Sequence, residues 1–294
     1  MAIKKNLGGT SFSRNLHSIM LIVVFILILV LQLQSNKQIM SKTMASLNVK
    51  PISVNTNDIP SVTVTMTTCN RLDLTRESLE SFFKFNANAI SSIKSFKMVI
   101  DCFNGTFVDA ISKEFPTIQF IRPITQSTVP YHRMMDNIQL LYTHVKQEGT
   151  DYWVHMEDDW KFVAPNFIVD GIKVLETVGQ NSSIWMVVGR EPNSFVPYVN
   201  DTFGWRNAGN VSYSILRVLS GGGGSYCSYT SNDAVISVKS AKRLELNFSQ
   251  HDHEANLSRE LGLRGVHVAI LQKHRYYHTG GNSTTMRNKV DLST

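Results

Sequence analysis

The sequence predicts an α/β domain, a mostly parallel sheet sandwiched by helices, preceded by a single transmembrane helix. Three observations predict it. From residue 61 onward, short β-branched or apolar runs alternate with amphipathic helical stretches, the pattern of a parallel sheet covered on both faces. Acidic and polar residues stand directly after several of those runs. Near the N-terminus lies one long apolar stretch without a charge.

That stretch is "SIMLIVVFILILVLQLQS" (18–35), and its residues from Ile19 to Leu31 are all apolar. No Lys, Arg, Asp or Glu occurs between Arg14 and Lys37. As a helix the interval would reach about 33 Å, enough to cross a bilayer. Lys4, Lys5 and Arg14 precede it, so the positive-inside rule leaves the N-terminus in the cytosol and sends the rest across the membrane. A cleaved signal peptide is the alternative, but "LQLQSNKQ" offers no small-residue cleavage site. The expected organisation is a cytosolic tail (1–17), a signal anchor (18–35), a polar stem (36–58) and a globular domain (59–294). Seven N-x-[ST] sequons, at Asn104, Asn181, Asn200, Asn210, Asn247, Asn256 and Asn282, fit a domain in the lumen of the Golgi or ER.

The composition suits one large domain, with 43% hydrophobic and 18% charged residues. The net charge is only +6 and is not gathered into a basic run, so a nucleic-acid partner is not expected. Three cysteines, Cys69, Cys102 and Cys227, are too few for a disulfide scaffold. Either Cys69 bridges Cys102 across adjacent strands, or all three are buried thiols.

The elements follow in order. "SVTVTMTTC" (61–69) reads as a buried strand, and "LTRESLESFFKF" (74–85) as a helix with Leu79, Phe82 and Phe83 on one face. "FKMVID" (96–101) and "IQFIRP" (118–123) are the second and third strands. A helix over 131–146 carries Met134, Ile138, Leu141 and Val145 at helical spacing. "YWVHM" (152–156) is the fourth strand, a helix opens near Pro165, and "IWMVVG" (184–189) is the fifth strand. Ligands of such sheets bind at the carboxyl ends of the strands. That rule selects "TTCNR" (67–71), Asp101 and the triplet Glu157-Asp158-Asp159, all expected along one edge.

Three abutting acids exceed what a helix cap needs and suit a hard divalent cation completed by phosphate oxygens. A zinc site is not expected, because no H-E-x-x-H or paired cysteines occur and "HDHE" (251–254) has no common structural spacing. There is no G-x-S-x-G and no P-loop, and "SGGGGSY" (220–226) reads as a loop near a ligand or a plain linker.

In order, "TTCNRLDLTRESLESF", "VIDCFNGT", "RMMDNIQLL" and "WVHMEDDWKF" resemble the GT-A fold glycosyltransferases, in particular the family 2-like, inverting branch. The likeness runs over roughly residues 60–280. It implies a nucleotide-sugar donor bound by Thr67, Asn70 and Arg71 at the first strand end, by Asp101 at the base, and by Arg133 and Asn137 on the following helix. "EDD" stands where the family has D-x-D, with Glu157 and Asp158 on the donor side and Asp159 as metal ligand. The first acid is Glu, which leaves the division between Glu157 and Asp158 open. "HDHEANLSRELG" (251–262) matches the segment that carries the catalytic base, implying Glu254, and "YYHTGG" (276–281) matches the one supplying a metal-binding His, implying His278. The implied cofactor is Mn²⁺ or Mg²⁺, the implied acceptor a glycan or glycoconjugate. Trp205 or Tyr226 would wall the acceptor, and Arg287 would join Arg133 near the diphosphate. The rival classes are a membrane-tethered carbohydrate-binding protein of the same fold without turnover, and a nucleotidyltransferase, whose glycine-rich basic loop "TTCNRLDL" lacks.

Overall fold

The computed structural model describes residues 60–101, 104–123, 130–179, 182–190, 204–216, 229–230, 233–251 and 253–279. The expected tail, anchor and stem lie outside the described residues, as do Cys102, Cys227, the run 220–226, Asp252 and Arg287. Among the described residues no helix is long and apolar enough to cross a membrane.

Four strands form the parallel core: β1 (Val62–Thr68), β2 (Ile93–Ile100), β3 (Ile118–Ile121) and β4 (Tyr152–Glu157), side by side as β3-β2-β1-β4. After them come β5 (Trp160–Phe162), β6 (Ile184–Val188), β7 (Arg206–Ala208), β8 (Val211–Leu216), β9 (Ala234–Ser237), β10 (His267–Leu271) and β11 (Tyr276–His278). The nine-stranded sheet continues beyond β4 as β9-β6-β10-β8-β7. β9 is antiparallel to both its neighbours, and β8 to both of its own, so only these two strands oppose the direction of β1. The sheet is thus mostly parallel. β5 and β11 form a separate antiparallel ribbon.

Among the described residues six α-helices cover it: α1 (Leu72–Phe85), α2 (Gly105–Glu114), α3 (Pro130–Glu148), α4 (Phe167–Val178), α5 (Val238–Arg243) and α6 (Glu254–Leu263). The period-two alternation of the strands splits the core between two faces. Val62, Val64 and Met66 join Leu79 and Phe82 of α1, Phe107 and Ile111 of α2, and the apolar stripe of α4. Trp153, Trp185 and Ile236 join α3, α5 and α6 on the other side. On the first face α4 lies so close to the sheet that a Cβ at Gly171 would meet Val235 Cγ2 at 2.6 Å. The second face holds polar groups. Thr65 Oγ1 takes a hydrogen bond from Trp153 Nε1 at 2.6 Å and lies 3.0 Å from His155 Nδ1. Burial pushes the His155 imidazole down to about 3, so it is a neutral core residue.

The helix expected near Pro165 is present from Phe167, after residues 160–162 fold back as β5 and Asn166 turns the chain at φ 72°. One expectation needs correction. Cys69 is exposed, which overturns the reading of it as a buried thiol, and its possible partner Cys102 lies outside the described residues. Cys69 lies just past β1, where its N–H is turned back onto Asp158 at 3.2 Å.

Candidate functional site

β2, β1 and β4 are parallel neighbours in register, with Thr68 beside Ile100 and Thr67 beside Glu157. Their carboxyl ends therefore coincide, and the turn after β1, Asp101 and the acid triplet share one edge. Asp101 is tied to β1 through its N–H, which donates to Thr68 O at 2.9 Å.

The first group on this edge is compensated. Asn137 Nδ2 donates to Asp101 Oδ1 at 3.2 Å, while Arg133 Nε lies 3.2 Å from Oδ2, off line for a hydrogen bond but close as an ion pair. One turn of α3 separates Arg133 from Asn137, so both face Asp101. Asp158 is buried, at 1% exposure, and both its oxygens are taken. Oδ2 accepts from Thr68 Oγ1 at 2.6 Å, Cys69 N at 3.2 Å and Arg71 Nε at 3.2 Å, and Oδ1 accepts from Arg71 Nη2. Arg71 also donates from Nη1 to Asp159 Oδ2 at 2.9 Å. Asn70, at φ 59°, makes the tight turn that brings Arg71 back over the acids. Thr67 is half-buried at the strand end, and the hydroxyl that reaches the acids is that of Thr68.

The second group comes from distant parts of the chain. β11 pairs with β5 so that His278 stands opposite Trp160, and Thr279 donates from both N and Oγ1 to Asp159 O, at 2.7 and 2.9 Å. His278 Nε2 consequently lies 3.2 Å from Asp159 Oδ2. Burial opposes the charge on Asp159, but the bond to His278 and the charge of Arg71 outweigh it and hold the carboxyl below its usual range. Glu157 behaves oppositely. Burial pushes it well above the usual carboxylate range, the charges of Asp159 and Glu254 add to this, and a bond from Trp160 Nε1 at 3.0 Å only partly offsets them. Glu254 opens α6, where His253 Nδ1 caps the helix by accepting from Ala255 N at 3.1 Å. Its charge is felt by Glu157 and by buried Tyr229.

The structure thus gathers Asn70, Arg71, Asp101, Arg133, Asn137, Glu157, Asp158, Asp159, Glu254 and His278 along one edge. Trp205 is exposed directly ahead of β7, the strand at the margin of the nine-stranded sheet opposite β3. Tyr226 lies outside the described residues. Sequence reasoning missed Asp233, Trp160 and Tyr276. Asp233 is buried and accepts the Glu157 N–H at 2.9 Å. The signal existed, a single acid directly before the apolar run Ala234–Ser237. Since β9 is antiparallel, it is the beginning of this strand that reaches the site edge, and a rule about carboxyl ends passes over it.

Among the described residues no three His, Cys, Asp or Glu side chains converge as a metal cage. Asp159 and His278 are a pair. A carboxylate held ionised beside an imidazole is a donor set that suits Mn²⁺ or Mg²⁺ when phosphate oxygens and waters complete the shell, so the residues fit such an ion.

No protein-family model matches the chain, and no curated protein matches it. Solved structures do. TarS of S. aureus superposes with a TM-score of 0.50 at 13% identity, over 74% of this chain and 36% of TarS. Its fold is similar to that of TarS. A 1–349 portion of TarS in complex with UDP has a TM-score of 0.49 at 12% identity, over 74% of this chain and 60% of that one. The mannosyltransferase PcManGT of Pyrobaculum calidifontis, in complex with GDP-Man and Mn²⁺, has 0.46 at 12% identity, over 77% and 61%. The chain therefore spans about three fifths of the length of PcManGT and of the TarS portion.

Proposed function

We propose that the protein is a GT-A glycosyltransferase that moves a sugar from a nucleotide-sugar donor to a hydroxyl of a glycan, glycoprotein or glycolipid, with inversion by single displacement. The observation that carries this reading is the meeting of Asp159 and His278, from segments far apart in sequence, beside the Asp101–Arg133 pair on the ligand edge of the sheet. An α/β fold puts its ligand there, and this edge holds groups suited to a base, a diphosphate and a cation together.

Asp101, oriented by Asn137 and Arg133, offers its carboxylate to the nucleobase. Arg71, fastened by Asp158, presents positive charge next to Asp159, where the diphosphate would lie. Asp159 and His278 would hold a divalent cation, which when bound supplies Lewis-acid stabilisation of the departing diphosphate. Glu254 accepts the proton of the acceptor hydroxyl as its oxygen bonds to the anomeric carbon. The bond from that carbon to the diphosphate breaks, and its electron pair leaves with the phosphate oxygen. The helix α6 fixes Glu254 at its first turn.

The apolar run 18–35 and the positive residues before it support a type II membrane protein with this domain in the lumen of the Golgi or ER.

The test is donor hydrolysis and transfer by the full-length protein in detergent, screened over UDP- and GDP-sugars with and without Mn²⁺. The expected outcome is metal-dependent release of nucleoside diphosphate from one donor, reduced about 10²–10³-fold in Asp159→Asn. Absence of turnover with every donor, while Asp159→Asn still binds glycans normally, would establish the binding-protein alternative instead. The anomeric configuration of the product, read by NMR, decides inversion against retention.

A further inference from the structure

We infer that Asp233 is a positioning residue which fastens the acid turn and the His278 strand to each other, and so sets the geometry of the Asp159–His278 pair. The inference rests on the transferase reading for its functional consequence.

Asp233 stands directly ahead of β9, at the point where the β4–β9 ladder runs out; its last register pair is Ala234 with His155. Beyond that point the Glu157 N–H has no β9 carbonyl to meet. A buried amide left without an acceptor costs about 1–3 kcal/mol. The Asp233 side chain replaces the missing carbonyl: Oδ1 accepts the Glu157 N–H at 2.9 Å. Its main-chain oxygen faces the other way and accepts from the Tyr276 hydroxyl, which in turn accepts from Gly189 N at 3.0 Å. One fully buried residue therefore touches the segment two residues before Asp159 and the segment two residues before His278. Tyr276 is itself locked, wholly buried and edge-on to Trp160, Phe162 and Phe167 at 5.3–5.6 Å.

The second carboxylate oxygen, Oδ2, is buried and has no hydrogen-bond partner among the described residues. Exchanging it for an amide NH₂ breaks no bond, so Asp233→Asn keeps the acceptor for Glu157, whereas Asp233→Ala removes it. The pair of variants thus separates loss of the acceptor from a change confined to Oδ2.

The experiment uses the full-length protein as wild type, Asp233→Asn, Asp233→Ala and Tyr276→Phe. Three quantities are measured: hydrogen exchange of the peptide covering 152–162, Mn²⁺ affinity by electron paramagnetic resonance without nucleotide, and kcat and KM for donor hydrolysis. Supporting groups behind metal ligands typically contribute 10–100-fold. Asp233→Ala should therefore bind Mn²⁺ about 10–100-fold more weakly and lose kcat by a similar factor. Its donor KM should change by less than about threefold, and the 152–162 peptide should exchange faster. Asp233→Asn should stay close to wild type in all three. Wild-type Mn²⁺ affinity and kcat in Asp233→Ala overturn the inference, as does an Asp233→Asn protein as impaired as the Ala variant, since keeping the acceptor for the Glu157 N–H would then preserve nothing. Should Asp233→Ala not fold, Tyr276→Phe decides: a kcat loss of about tenfold supports the clamp, and unchanged kinetics refute it. Should wild type bind neither Mn²⁺ nor any donor, the transferase reading fails. The exchange data then still judge the clamp, which stands if only the Ala variant is faster and falls if all variants match.

Discussion

Two ends of the same sheet edge differ in how their acids are compensated. At one end Asp101 faces Arg133, and Asp158 and Asp159 share Arg71. A few residues along, Glu157 and Asp233 are met, among the described residues, by the neutral N–H groups of Trp160 and of the Glu157 main chain. Burial pushes both of these carboxyls well above the usual range, and neighbouring negative charges push them further. The first end is preset, with charges already balanced before any ligand arrives. The second holds surplus negative charge in a dry place, which is stable only with protons or an added cation. In the proposed enzyme the first end would grip the nucleotide and, through Arg71 and Asp159, the diphosphate and the metal, and the second would lie beside the proposed base Glu254.

The largest effect is expected where the surplus end does chemistry. Glu254→Gln removes the proposed base without changing its size, and transfer should fall by about 10²–10⁴-fold while donor affinity holds. Equal losses in donor binding, measured by calorimetry, would break the division between the two ends. A smaller effect is expected at the preset end. Asp101→Asn removes one partner of a charged hydrogen-bonded group, which typically contributes about 1.5–3 kcal/mol, so donor KM should rise by about 10–100-fold with kcat nearly unchanged. A kcat effect larger than the KM effect would move Asp101 out of the binding role.

The smallest effect sharpens the contrast with a group outside the edge. His155 is buried neutral, with its folded pKa lowered from 6.5 to about 3 by desolvation. The unfolded chain takes up that proton first as pH falls. Stability from this group is therefore complete above about pH 6.5 and declines toward pH 3, by at most about 1.4 kcal/mol per pH unit. Urea unfolding at pH 7 and pH 5 should show a steeper acid loss in wild type than in His155→Asn. Equal slopes would mean that the imidazole is not held neutral.

The first end was legible, and of the second Glu157 but not Asp233, for a physical reason. β1, β2 and β4 are runs of six to eight residues with clear β-branched or apolar character. Parallel neighbours of that kind align their carboxyl ends, so the sequence alone places Asn70, Arg71, Asp101 and the acid triplet together. Arg133 and Asn137 followed from helical spacing. β5, β11 and β9 have only three or four residues, too few to show a period. Trp160 and Tyr276 carry no signal of their ribbon, and Asp233 sits at the start of a strand whose direction no local feature announces. Even the reading of Cys69 failed for this reason, since whether a thiol at a strand end is covered depends on what the following turn does.

Local chemistry alone therefore settled the alternation of strands and helices, the edge where a ligand would sit, and the residues that resemble a glycosyltransferase motif. Long-range pairing settled the rest. The antiparallel insertion of β9 places Asp233 under Glu157, and the short β5–β11 ribbon carries His278 to Asp159. The division of labour in "EDD" also came from packing. Asp158 anchors Arg71, Glu157 is sequestered beneath Trp160, and Asp159 meets His278. Three adjacent acids are chemically near-equivalent as a string. What separates them is the environment that each turn of the backbone delivers to its own carboxylate, and that environment is assembled from residues far away in the chain.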